Sequence, residues 1–575
     1  MPSSSFLSNR ALAWLAAVIV FVALCFRLGH LPLLAPDEGR NAEVGREMKD
    51  SGSWLVPTYN GVDYLDKPAF YFKAVALSLA VIGNNETAAR LPSAAFGVAL
   101  VALVFAFCRR IHGTRCGLLA AIITATTPLY LANARTVIFD MALAFFVCAA
   151  IFAGYLAETA EGKARRNGYA LGAAAAGFAT LVKGPVGFLI PMLVLLVFNR
   201  VEGRRGAWKR LLAPLNLLVF FAVTLPWFVG LCLAHRDFLH YGLVEESFHR
   251  FTSTRTFHRS EPFYFYLLIV PVIFFPWSLL FPEVILSAWR ERWARHGADR
   301  LCLVWSVVVV VFFSISQSKL PGYILSVAVS GGILVARVFD TALAIPEGKP
   351  ARFVGRATAV FATACLLLAL AATLGMSEMP LLAKPLRIPM SDAEGLGQAA
   401  VPLVVLFAAL GAFGWVACWR RNVSWCFLSL ALFSPLGVNL GVGIFDVIYD
   451  AKSGRRIADK LSPLTADTEL ACLECFPNGV PFYLSRTATL ISRDGGELTS
   501  NYILYCLKND LQRPKQIVPL AEFDEWLASR KTPVYLITRQ ADRNKLETIA
   551  AARSATVQVL SPAFLGAQLP APRGP

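Results

Sequence analysis

The sequence predicts a polytopic α-helical membrane protein, with about 13 transmembrane helices followed by a C-terminal soluble α/β domain. Three observations carry this reading. Of 575 residues, 56% are hydrophobic and 16% are charged, and mean hydropathy is +0.56, far more apolar than a soluble domain. The apolar residues come in blocks of about 14 to 24, separated by short loops carrying Arg and Lys, as helices crossing a hydrocarbon core of about 30 Å require. Hydropathy then drops from about Tyr449 onward.

Taken in order, the blocks place spans near 11–27, 91–108, 117–134, 139–157, 169–182, 184–199, 211–234, 263–285, 301–316, 321–340, 355–375, 399–418 and 424–444. No small-residue cleavage site precedes the charged stretch after the first block, which therefore reads as an uncleaved span. The apolar stretch 69–83 is short and contains Lys73, so it is assigned to the membrane surface as a juxtamembrane helix within the long loop 28–90. Charge supports that choice. With the N-terminus in the cytoplasm, "CRRIHGTR", "EGKARRNG", "NRVEGRRGAWKR", "WRERWARHGADR", "EGKPARFVGR" and "CWRRN" all fall on the cytoplasmic side, where basic loops belong. The net charge of +16 is thus an orientation signal, and nucleic acid is not an expected partner.

Residues 449–575 read as a periplasmic α/β domain, set apart from the transmembrane domain 1–448. "ELACLE", "ATLIS" and "PVYLIT" have the look of strands, while "AKSGRRIADKLSPL" and "LAEFDEWLAS" look helical. The last fifteen or so residues, rich in proline, are expected to be poorly ordered. No Gly-rich phosphate loop is present, so nucleotide binding is not expected. The twelve cysteines lie mostly inside apolar blocks and read as packing residues, whereas Cys472 and Cys475 of "CLEC" are either a disulfide or an incidental pair.

Topology gathers acids and bases on the non-cytoplasmic side. Asp37 and Glu38 follow the first span, and Asp66 and Lys67 stand in the aromatic segment "YLDKPAFYF". A carboxylate at a membrane exit is commonly a solvated terminus, and Glu38 and Glu86 with Arg90 read equally well as structural ion pairs. Asp140 opens a very apolar span, where an acid is costly unless it faces water or a partner. Arg250, Arg255, His258 and Arg259 crowd a loop on the face that topology does not favour for cations, which suggests an anionic ligand such as a lipid phosphate. Lys319 and Tyr323 of "SKLPGYIL" stand one helical turn apart at the start of another span.

In this order, the Asp-Glu pair, "DKPAFYF", "ETAARLPSA", "FDMALAFF", "HRSEPFYFY" and "SKLPGYILS" resemble the GT-C membrane glycosyltransferases. The nearest likeness is to the family of the lipid A 4-amino-4-deoxy-L-arabinose transferase, relatives of the protein O-mannosyltransferases. Ala69 and Ser326 stand where that family usually has proline, changes that touch packing rather than charge. The resemblance implies an inverting transferase that uses a polyprenyl (undecaprenyl) phosphate-linked sugar donor at the outer face of a bacterial inner membrane. Lipid A or lipopolysaccharide is the implied acceptor, with a protein hydroxyl or another envelope glycan as the alternative. Lys67, Arg255, Lys319 and Tyr323 would bind the donor phosphate, with Arg250, His258 and Arg259 as neighbours. Asp37 would act as base or acceptor-orienting group, with Asp140 as second carboxylate, while Glu38 and Asp66 are further candidates. No cofactor is required by the sequence. A divalent metal has room among the acids, although no ligand spacing argues for one. A lipid flippase or transporter would need ionisable residues near mid-membrane and on both rims, and a scaffold would leave the Asp and Lys cluster without a role.

Overall fold

The computed structural model describes residues 9–242, 261–290, 296–386, 388, 390–461, 464–509, 511 and 514–571. Each of the thirteen apolar blocks is helical, but fewer qualify as full spans. Eight helices among the described residues are long and apolar enough to cross a membrane, or up to ten if two sharply bent pairs each count as one. By that measure eight to ten of the thirteen expected blocks are full-length spans among the described residues, and the other three are helices with a shorter apolar stretch. The reason is geometric: Asn9–Leu24 and Val186–Val201 have 16 residues each, which at about 1.5 Å per residue fall short of a core about 30 Å thick. Gly162–Lys183 begins with the polar stretch "GKARRNG", which leaves its apolar part short. The stretch read as a juxtamembrane helix is the short apolar helix Phe70–Ile82.

The helix ends sort by charge. At one end, Arg115 pairs with Asp340 (2.6 Å), Arg210 with Glu158 (3.0 Å), and Arg300 with Glu202, so the basic loops gather together. The opposite end carries Asp140, at the start of Asp140–Glu158, and Lys183, at the end of Gly162–Lys183. Between these ends the packing is aromatic, with Phe146 against Phe178 (5.2 Å) and Phe107 stacked on Phe152 (4.0 Å).

A buried ion pair organises the 28–90 loop. Helix Asp37–Ser51 follows directly on the 28–36 segment, and its Glu38 faces inward, 4% exposed. Arg90 of helix Glu86–His112 donates to both carboxylate oxygens of Glu38, at 2.8 and 2.9 Å. The same guanidinium donates to the carbonyls of Leu28, Leu31 and Pro32. Glu38 also accepts from the main-chain N–H groups of Leu34 and Val137. A planar fork matched to a carboxylate and surrounded by carbonyls satisfies the donors of a buried arginine.

After helix Val442–Lys452 the chain forms the soluble layer. A two-stranded ribbon, β1 (Thr58–Tyr59) and β2 (Val62–Asp63), belongs to the outer loop. The tail supplies β3 (Glu469–Leu473), β4 (Thr489–Ser492), β5 (Ile517–Pro519), β6 (Val534–Arg539), β7 (Val557–Val559) and β8 (Phe564–Leu569), in sheet order β5-β4-β3-β6-β8-β7. Strands β3 to β6 pair in parallel, and β8 is antiparallel to both β6 and β7. Alternation directs the two faces differently. Leu470, Cys472, Tyr535 and Ile537 join a core with Tyr59, Tyr64 and Phe72 of the outer loop. Ala471, Leu473, Val534 and Leu536 face Phe523, Leu527, Leu546 and Ala550 on helices Phe523–Ala528 and Arg543–Ala552.

Within the last fifteen residues, expected to be poorly ordered, Phe564–Leu569 form a strand instead, while 572–575 lie outside the described residues. β8 pairs on both sides, and Leu565, Ala567 and Leu569 are fully buried. Proline content suggested disorder, but the short apolar alternation before the terminal prolines completes the sheet. Cys472 and Cys475 are both free, and the Cys475 thiol lies 3.4 Å from the carbonyl oxygen of Ile537.

Arg90→Ala is expected to lower stability by about 3–5 kcal/mol, because it strands a buried carboxylate. Arg90→Lys recovers little of this, since an ammonium cannot span both oxygens and three carbonyls. Thermal unfolding of the purified variants in detergent checks both outcomes.

Candidate active site

Helix ends and the turns between them enclose a cavity of about 680 Å³. Most of its wall is apolar, built from Leu143, Val186, Phe188, Phe220, Phe228 and Phe312 among others. Its polar groups include Asp66, Lys67, Lys183, Thr180, Ser316 and Tyr323. An apolar chamber with cations in its wall suits an amphiphile that has a hydrocarbon chain and an anionic head.

Lys183 pairs directly with Asp140 through a short contact, and both side chains are nearly buried. Its ammonium lies 4.7 Å from the centre of the Tyr323 ring and 5.0 Å from that of Phe139. Lys67 lies 6.0 Å from the same Phe139 ring and donates to the carbonyl of Asp66 at 2.6 Å. The two lysines therefore flank one aromatic ring. Asp140 is held from behind: Glu38 accepts from the Val137 N–H (3.0 Å) and Asn41 donates to the Val137 carbonyl (2.8 Å), three residues before the acid.

The structure thus brings Lys67, Asp66, Tyr323 and, through Lys183, Asp140 to one place. Asp37 stands apart from the cavity wall, 54% exposed at the start of helix Asp37–Ser51, with Arg40 donating to it at 2.5 Å. Arg40 in turn donates to the carbonyl and hydroxyl of Thr499 in the tail. Glu38 is occupied by Arg90, and Glu86 accepts from Tyr483 and pairs with Arg455. Lys319 does not line the cavity; its ammonium donates to the carbonyls of Ser316 (2.6 Å) and Glu261 (2.9 Å), and burial pulls its pKa below the usual lysine range. Arg250, Arg255, His258 and Arg259 lie outside the described residues.

Lys183 is the residue that sequence reasoning missed. In "LVKGPVGF" it passes for a turn between two spans, although the argument applied to Asp140, a charge at the rim of apolar helices, applies equally to it. Among the described residues no group of three or more His, Cys, Asp or Glu side chains is arranged to hold a metal ion.

Comparison with known proteins fits this geometry. Residues 66–229, which include Lys67, Asp140 and Lys183, match the family model described as dolichyl-phosphate-mannose-protein mannosyltransferase. The undecaprenyl phosphate-alpha-4-amino-4-deoxy-L-arabinose arabinosyl transferase 2 of Sodalis glossinidius (strain morsitans) is 31% identical over 458 residues, 78% of each chain. The corresponding transferase of Enterobacter sp. (strain 638) is 27% identical over 507 residues, 86% of this chain and 87% of its own. The crystal structure of ArnT from Cupriavidus metallidurans bound to undecaprenyl phosphate superposes with a TM-score of 0.80 at 26% identity, covering 98% of both chains, and its apo state with 0.77. With the fold and the sequence agreeing over most of the chain, this protein belongs to the family of the undecaprenyl phosphate-4-amino-4-deoxy-L-arabinose arabinosyl transferases, membrane glycosyltransferases of the GT-C fold.

Proposed function

We propose that the protein moves 4-amino-4-deoxy-L-arabinose, or a closely related sugar, from undecaprenyl phosphate to lipid A at the outer face of the inner membrane. The observation that carries this reading is the apolar cavity with Lys67, Lys183 and Tyr323 in its wall. The isoprenoid chain occupies the apolar chamber, and the phosphate lies against the two lysines and the tyrosine hydroxyl. The names of the relatives supply the sugar and the carrier. The outer-face assignment rests on the basic loops, which gather at the opposite helix ends.

In the reaction the bond between the anomeric carbon and the phosphate oxygen breaks as the acceptor oxygen attacks from the opposite side, inverting the centre. The departing phosphate gains negative charge, and cations already in place stabilise it without reorganisation. Lys183, held by Asp140, and Lys67, held by the Asp66 carbonyl, supply that charge in a mostly apolar wall. A lipid A phosphate is already an anionic nucleophile and needs little deprotonation. Asp37, exposed beside the tail, then orients the acceptor rather than taking its proton. A protein hydroxyl would require a base; the family model's description is the observation that favours this second reading.

Purified protein in liposomes, given the undecaprenyl-linked aminosugar and lipid A, is expected to yield lipid A heavier by one sugar residue in the mass spectrum. Transfer to peptide hydroxyls with lipid A untouched would reject the acceptor. In the same assay Lys183→Ala is expected to lose about 100-fold or more in turnover, as removal of a preorganised charge at a developing anion does. Lys319→Ala is expected to shift the melting temperature more than the turnover, since its ammonium ties two main-chain carbonyls. In cells, deletion of the gene is expected to remove the sugar adduct from lipid A and increase susceptibility to polymyxin, because the bare phosphates keep their full negative charge.

A further inference from the structure

Asp66 lines the donor cavity and immediately precedes Lys67, yet its carboxylate is committed elsewhere. The N–H of Asn501 donates to Oδ2 at 3.0 Å, and the N–H of Tyr502 donates to Oδ1 at 2.7 Å. The Ser500 hydroxyl (3.3 Å) and the Tyr241 hydroxyl (2.9 Å) also reach Oδ1. Three of these four donors open the tail helix Asn501–Lys508, whose first N–H groups have no partner inside the helix and whose dipole favours a negative charge. Ser500, the residue before this helix, accepts from the Ile503 N–H, so its side chain and Asp66 share the capping of one helix end. The carboxylate, 435 residues away in sequence, acts as a second cap.

The main chain of Asp66 completes the link. Its carbonyl receives the Lys67 ammonium at 2.6 Å, so the helix end, the carboxylate, the peptide and the ammonium form one short chain of contacts. Tyr241 stacks edge-on against Tyr502 (5.0 Å) and lies beside Tyr505 (5.3 Å), and Asp237 accepts from the Tyr502 hydroxyl at 3.0 Å. These contacts hold the segment after helix Pro214–Ala234 on the same tail helix. Three donors converge on Oδ1 and one on Oδ2, which makes this carboxylate a rigid anchor.

We infer that Asp66 is a positioning residue, and that the soluble domain, through the start of helix Asn501–Lys508, sets the Lys67 ammonium against the donor phosphate. The inference rests on the donor assignment made above. On this reading the tail is part of the donor site rather than a module attached to it, and loosening the helix end weakens phosphate binding through Lys67.

Asn501 is the first residue of its helix, where proline is tolerated, and Ser500 before it is already extended (φ −112°, ψ 125°), as a following proline demands. Asn501→Pro therefore removes one N–H from Asp66 while keeping the helix, and Asn501→Ala, which keeps the N–H, is its reference. With full-length protein in nanodiscs and undecaprenyl phosphate as the probe, Asn501→Pro is expected to bind about tenfold more weakly than Asn501→Ala, the loss of one charge-assisted hydrogen bond. Asp66→Asn, which turns an amide N–H toward these donors, is expected to weaken binding at least as much. In a Lys67→Ala background, the difference between Asn501→Pro and Asn501→Ala is expected to vanish, because the two act through one group.

Equal binding by Asn501→Pro and Asn501→Ala would overturn the inference. So would a proline effect that persists undiminished without Lys67, which would mark a purely structural role. If the wild-type protein fails to bind undecaprenyl phosphate while remaining folded, the donor assignment itself falls and the inference with it.

Discussion

The buried pair of Glu38 and Arg90 is the contact on which the half of the molecule around the 28–90 loop depends. Two charges removed from water are tolerated only when their hydrogen-bonding groups are filled, and here the guanidinium meets both carboxylate oxygens and three carbonyls. Through them the end of the first helix, the start of helix Asp37–Ser51 and the helix Glu86–His112 are drawn to one point. Glu38 then reaches on to Val137, three residues before Asp140. The acid that holds Lys183 is thereby tied to the loop that holds Lys67.

This arrangement explains how an apolar bundle keeps charges at the rim of a hydrocarbon chamber. Asp140 and Lys183 neutralise each other, Phe139 and Tyr323 offer their ring faces to the ammonium groups, and Lys67 is held by a carbonyl. The soluble sheet contributes from above: one face packs on Tyr59, Tyr64 and Phe72, so the tail and the outer loop share a core.

Much of the architecture was legible in the residues. Period-free apolar blocks located the helices, and Arg and Lys marked the loops that gather at one end. β3, β4 and β6 were visible as buried β-branched and aliphatic runs. β5, β7 and β8 were not, because β5 and β7 have only three residues each and β8 carries Gly566 and Gln568 within its run. Hydropathy located the apolar blocks but not their length or bending, so three of them are helices with a shorter apolar stretch and two are bent pairs. Glu38 and Glu86 were foreseen as possible partners in ion pairs, and both are paired, Glu38 with Arg90 and Glu86 with Arg455.

The sequence by itself determined the membrane class, the side on which acids and bases collect and the motif order that resembles one transferase family, since these depend on composition and on neighbours in the chain. Only the tertiary structure decided which charges meet. Lys183 finds Asp140 43 residues away, and Asp66 finds Asn501 435 residues away. Lys319, beside Tyr323 in the sequence, turns instead to two carbonyls. Hydrogen bonding of buried charges is settled by which helix ends lie side by side, and that is a property of the packed chain rather than of any stretch of it.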